Sequence, residues 1–272
     1  MSGVAAYLLV SFGIAWICWG ALLADAALRA VALTALLLAG SFGPFVAAGV
    51  CSWAAGRMRG MVRFYARVLN LRMGWGVFAV AFALLPGAAI IAAYIYARQM
   101  GGGFAFQMGW ADLPVAYLWL FILGGPVAEE FGWTYLADRL SERVNFLAGT
   151  FLLGLIWGFW HLPLFFLVVP GLLQHYIPFG LFLLFSLVNR VLFAWAYYRG
   201  GENLLSNLIF HNALNFSLSV VVIVPPAAAA EHLRLWYLTG LAAVAAALLW
   251  RLAPPVGVGR LFAGQEPPGA EA

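Results

Sequence analysis

Apolar runs of about twenty residues follow one another along nearly the whole chain, each long enough to cross a hydrocarbon core of roughly 30 Å as a helix. In lipid a backbone must satisfy its own N–H and C=O groups, so only helices and closed barrels span. A barrel would show short alternating segments, and none is visible. The 272 residues are 65% hydrophobic and 9% charged, with a mean hydropathy of +0.96. These features predict an all-α, polytopic transmembrane bundle with no soluble module attached. Eight spans are expected, near 4–24, 33–55, 75–97, 112–137, 147–168, 178–198, 203–224 and 231–252. They are expected to form one transmembrane domain over 1–252, with a motif-bearing core at about 112–224. Residues 253–272, rich in Pro, Gly and Ala, are expected to be a flexible cytoplasmic tail.

Charge gives the orientation. All 14 Lys and Arg residues are arginines, and the formal net charge is +4. Arg57, Arg59, Arg63, Arg67 and Arg72 cluster in one loop, and Arg139, Arg143, Arg199, Arg251 and Arg260 fall on the same side of the eight-span scheme. Arg29, Arg98 and Arg234 fall on the other. By the positive-inside rule the first group is cytoplasmic, as are both termini. The basic balance is thus explained by topology and does not call for nucleic acid. The protein is expected in the inner or plasma membrane, in contact with the lipid bilayer. The arginine spacing over 56–74, interleaved with Met61, Val62, Phe64, Tyr65, Val68 and Leu69, also suits a basic helix lying on the inner leaflet. The first apolar run lacks a basic segment before it and reads as a retained helix. Cys18 and Cys51 lack paired spacing and read as packing residues.

Against this apolar background a few polar residues stand out. Ionisable groups inside spans cost about 2.5–3.5 kcal/mol each on insertion scales and mark function. Glu129 and Glu130 are adjacent in GGPVAEEFGWTYLADRL, so on a helix they point about 100° apart and take different partners. Gly124, Gly125 and Pro126 before them loosen or kink the helix. His161 lies in GLIWGFWHLPLFF. An imidazole titrates near neutrality and relays protons. His211 and Asn215, four apart in FHNALN, share one helix face and can donate two hydrogen bonds to a developing oxyanion. Each has a bland alternative: a hydrated carboxylate pair, a satisfied core histidine, an interhelical hydrogen-bond pair. From the helix ends, Glu129 and His211 are each about 12 Å deep and His161 near 20 Å, so a tilt or a kink at Pro163 has to bring it level.

The strings EEFGW, WGFWHLPLF and FHNALN, in this order on successive spans, resemble the three motifs of the CPBP family of intramembrane proteases, which includes the type II CAAX prenyl endopeptidases and bacteriocin-processing or immunity proteins. The resemblance covers about 124–216. It implies an intramembrane endopeptidase acting on membrane-associated protein or peptide substrates. In that reading Glu129 activates the attacking water, His161 assists, His211 and Asn215 stabilise the oxyanion, and Glu130 supports the site, with the pocket open to the cytoplasmic leaflet. Trp157 stands where the family commonly has Phe. The family's Arg four residues after the second Glu is replaced by Thr134, and Arg190, placed well inside the sixth span, is expected to stand in as the cation near Glu129 or Glu130.

Two alternatives stay open. Two histidines and a carboxylate can hold catalytic zinc, although HExxH is absent. A non-catalytic immunity or assembly protein could keep the same residues for packing, a reading motivated by Thr134. A transporter is disfavoured because no paired repeats are visible. Neither the substrate nor the oligomeric state is legible.

Overall fold

The computed structural model describes residues 3–169, 172–224 and 228–255. Among these residues ten helices run in order: α1 Gly3–Ala24, α2 Ala26–Ser41, α3 Gly43–Tyr65, α4 Trp75–Met100, α5 Leu113–Leu123, α6 Pro126–Ser141, α7 Phe146–Trp160, α8 Phe179–Arg199, α9 Leu204–Val220 and α10 Ala228–Leu252. Local chemistry sets several starts. The side chain of Asp25 accepts from the first-turn amides of α2, that of Asn145 caps α7 and that of Asn203 caps α9. Two short strands, β1 Gly103–Phe106 and β2 Val221–Val224, pair antiparallel, with Phe104 opposite Ile223.

The bundle is polytopic and helical, as expected, but among the described residues six helical stretches rather than eight are long and apolar enough to cross a membrane: Gly3–Ala24, Ala26–Leu69, Trp75–Met100, Phe146–Phe166, Phe179–Arg199 and Ala229–Leu252. Two expected spans fall short for local reasons. The one at 112–137 breaks between α5 and α6, where Gly125 takes φ +120 and Pro126 starts a new helix without an N–H to continue the old one. The one at 203–224 is helical only to Val220, and the β-branched run Val221–Val224 then pairs with β1. The expected span at 33–55 is also redrawn, because α2 ends at Ser41 and α3 starts at Gly43. Within α3 the helix breaks at Gly56 and Arg57 (φ 53) and resumes toward Tyr65. There Phe64 is buried against Phe131 and Tyr135, while Arg57, Arg59 and Arg63 are exposed together with Met58 and Val62. The expected tail lies outside the described residues beyond position 255.

Helix α6 is central. Every side chain from Ala128 to Leu136 is buried, both glutamates included. Close approach explains how α3 reaches it: a Cβ on Gly132 would lie 2.4 Å from Cβ of Pro44 and 2.5 Å from its carbonyl. In lipid, where apolar burial does not drive helices together, such small-residue contacts carry the packing. At one end of the bundle Arg67 pairs with Asp138 at 2.5 Å, and Tyr197 donates to the same carboxylate at 2.8 Å. This joins the 3-10 turn Ala66–Leu69 that follows α3 to α6 and α8 at the arginine-rich end. The β1–β2 pair lies at the opposite end.

Candidate active site

The two glutamates diverge from the first turns of α6, as their adjacency requires. Glu129 points toward α7. Its Oε2 accepts from the indole N–H of Trp157 at 2.7 Å and of Trp133 at 3.1 Å. Glu130, fully buried, points toward α8 and α9. Arg190 donates to both of its oxygens, at 2.7 and 2.9 Å, and His211 Nδ1 meets Oε1 at 2.7 Å. The expectation for Arg190 agrees with this placement. Thr134 is buried one turn past Glu130, and the cation comes instead from α8. The guanidinium also lies 4.1 Å from the ring centre of Trp157, a cation–π contact in a desolvated setting.

Gly125 marks where the polar atoms converge. A Cβ built there would sit 3.0 Å from Glu129 Oε1, 3.1 Å from Asn215 Nδ2 and 3.5 Å from His211 Nε2. The free oxygen of Glu129 therefore faces an amide and an imidazole across a small gap. Asn215 spends one N–H on the carbonyl of Gly124 at 2.7 Å, which leaves one for the cavity.

The histidine tautomers follow from their partners. Nδ1 of His161 lies 2.8 Å from the carbonyl of Trp157, an acceptor only, so Nδ1 carries the proton and Nε2 is free to accept one. The carboxylate of Glu130 is an acceptor toward Nδ1 of His211 in the same way. Nε2 of His211 then becomes a donor only when the ring is protonated. His161 needs no kink to come level. Helix α7 ends at Trp160, and His161 caps it before the 3-10 turn Leu162–Phe166. Its ring centre lies 5.6 Å from that of Trp157, the same separation that Trp157 keeps from His211.

Glu129, His161, His211 and Asn215 line a cavity of about 790 Å³, while Glu130 stays behind its wall. Apolar side chains such as Leu164, Phe182, Leu214 and Leu218 form much of the rest. The cavity reaches the β1–β2 end of the bundle at Gln107, Gln174, Val222 and Arg234. It thus opens away from the arginine-rich end, which corrects the expectation of a mouth on that side. The hydropathy pattern locates spans but says nothing about which end of a cavity is blocked.

Sequence reasoning missed the indole donors. Hydropathy counts Trp as apolar, yet Trp133, one turn after Glu129, and Trp157, one turn before His161, each aim an N–H at the same carboxylate oxygen. The i, i+4 spacing of Glu129 and Trp133 was the available signal. Among the described residues no three His, Cys, Asp or Glu side chains gather as a metal site would require. Glu129 and the two histidines share the cavity but do not form such a group.

Taken together, the helical bundle and its buried carboxylate–imidazole–amide cluster define a multi-pass membrane protein with a site inside the bundle. Residues 110–217, which contain all of these side chains except Gln107, Arg234 and other mouth residues, match the type II CAAX prenyl endopeptidase Rce1-like family. This match spans the three motifs that carry the resemblance seen in the sequence. A protein named CAAX prenyl protease 2 from Methanococcus maripaludis is 25% identical over 233 residues, covering 80% of this chain and 84% of the relative.

Proposed function

We propose that the chain is an intramembrane endopeptidase of the plasma membrane, working as one transmembrane unit over 1–252, in which Glu129 activates water against a peptide bond of a membrane-associated substrate. Glu129 takes a proton from water through Oε1, while Oε2 stays fixed by two indoles. His161, with Nδ1 committed to a carbonyl, accepts the water's second O–H through Nε2 and aims its lone pair. The hydroxide adds to the scissile carbonyl, and the C=O electrons move onto oxygen. Asn215 Nδ2 and protonated His211 Nε2 donate to that oxyanion. Collapse of the tetrahedral species breaks the C–N bond, and the proton held by Glu129 passes to the leaving amine. The products are a new carboxyl end and a new amino end. Glu130 and Arg190 act behind His211: the carboxylate orients Nδ1, and the guanidinium holds the carboxylate.

The observation that carries this reading is the divided carboxylate of Glu129, one oxygen clamped and the other facing Asn215 and His211 across the point above Gly125. The test is incubation of the purified protein in proteoliposomes with a panel of membrane peptides, with products identified by mass spectrometry. Internal cleavage by wild type that is lost in the His161→Ala variant supports the reading. Absence of internal cleavage across the panel, with the protein folded, counts against it.

A further inference from the structure

The cavity mouth and the arginine distribution lie at opposite ends of the same bundle. Among the described residues Arg57, Arg59, Arg63, Arg67, Arg72, Arg139, Arg143, Arg199 and Arg251 belong to the end at which Arg67 meets Asp138. The other end carries Arg29, Arg98 and Arg234, and Arg234 is buried and paired with Glu231. Loops rich in arginine stay in the cytoplasm because translocating them is costly, whereas acidic residues count for little. Nine against three is a clear bias.

Depth points the same way. At about 1.5 Å per residue, Glu129 is roughly 18 Å along α6 from Ser141 at the arginine-rich end and about 5 Å from Pro126 at the other. His161 caps α7 some 22 Å from Phe146 by the same measure. Asn215 is about 8 Å from Val220, where α9 gives way to β2. Beyond these residues the cavity continues to Gln107, Gln174 and Val222, all in segments that connect helices at that end.

We infer that the site is entered from the non-cytoplasmic face, and that its substrates are non-cytoplasmic, membrane-proximal segments of anchored or exported polypeptides. This rests on the endopeptidase reading above for the cleavage, but not for the direction of access. The walls suit an extended, largely apolar stretch of peptide. At the arginine-rich end Arg67, Asp138 and Tyr197 are instead tied together by an ion pair and a hydrogen bond.

The experiment uses the full chain with Cys18→Ala and Cys51→Ala, carrying either Gln107→Cys at the mouth or Ser141→Cys at the far end, both exposed positions. Right-side-out membrane vesicles are treated with a membrane-impermeant maleimide, before and after permeabilisation. In parallel, vesicles with the original cysteines are given an internally quenched apolar peptide bearing a sulfonated dye that prevents bilayer crossing. The expected result is that the Gln107→Cys variant is labelled in sealed vesicles and the Ser141→Cys variant only after permeabilisation, with peptide cleaved by sealed vesicles. The reverse labelling pattern overturns the inference, as does cleavage that appears only after permeabilisation. Expected labelling with no cleavage even in detergent instead overturns the endopeptidase reading and leaves the direction of the mouth standing.

Discussion

Arg190 on α8 holds Glu130 on α6 by both carboxylate oxygens, at 2.7 and 2.9 Å, across 60 residues of sequence. Both side chains are buried, with exposures of 2% and 0%. Such a pair gains little over apolar packing when intact, but removing one partner strands a charge. Arg190→Met should therefore destabilise the protein by about 3–5 kcal/mol. Arg190→Lys should recover only part of this, because an ammonium cannot match the two-pronged geometry. Unfolding of the purified variants in detergent measures it. An unchanged midpoint for Arg190→Met would remove the pair from the account.

Gly125 offers a test of the site's geometry. Its φ of +120 strains any side chain, and a Cβ there would crowd Glu129 Oε1 and Asn215 Nδ2. Gly125→Ala should lower the cleavage rate by at least about 10²-fold, as misplacement by about an ångström does in other enzymes. Gly13, by contrast, has nothing within 4 Å of an added Cβ, and Gly13→Ala should leave cleavage unchanged. Equal rates for the two variants would contradict the convergence described at Gly125.

The spans and the polar side chains were legible because a membrane makes polarity conspicuous. Glu129, Glu130, His161, His211, Asn215 and Arg190 all stand out in apolar strings, and the structure brings them together around Trp157 and Gly125. Hydropathy does not register helix ends. The break at Gly125–Pro126 and the passage from α9 to β2 depend on backbone torsion and on β-branched residues finding a strand partner, neither of which lowers apolarity. The roles of Trp133 and Trp157 were hidden because an indole is apolar by area and polar at one atom. The direction of the mouth depends on which loops close over the bundle, and tertiary packing alone decides that.

Asn215 and His211 are assigned to the oxyanion. Asn215→Ala should cost about 10²–10³ in kcat with little change in KM, because the contact is made in the transition state. The variant also releases the Gly124 carbonyl, so circular dichroism should accompany the kinetics. A KM effect with kcat preserved would move Asn215 from catalysis to substrate binding.

Metal dependence separates the water-activating reading from its zinc alternative. Prolonged dialysis against a strong chelator should leave the wild-type cleavage rate unchanged, and metal analysis should find well under one equivalent per chain. Loss of activity on dialysis, restored by added zinc, would favour the metal reading and recast Glu129 as a ligand.

The most direct test of the central claim is the cleavage rate of the Glu129→Gln variant on a validated membrane peptide. The amide keeps the size of the side chain and can accept from the two indoles, but it cannot take a proton from water. The account predicts a folded protein with wild-type thermal stability, and cleavage reduced by at least about 10²–10⁴-fold, the usual worth of a general base. A rate within a few-fold of wild type would contradict it, and the buried polar cluster would then read as packing in a non-catalytic membrane protein.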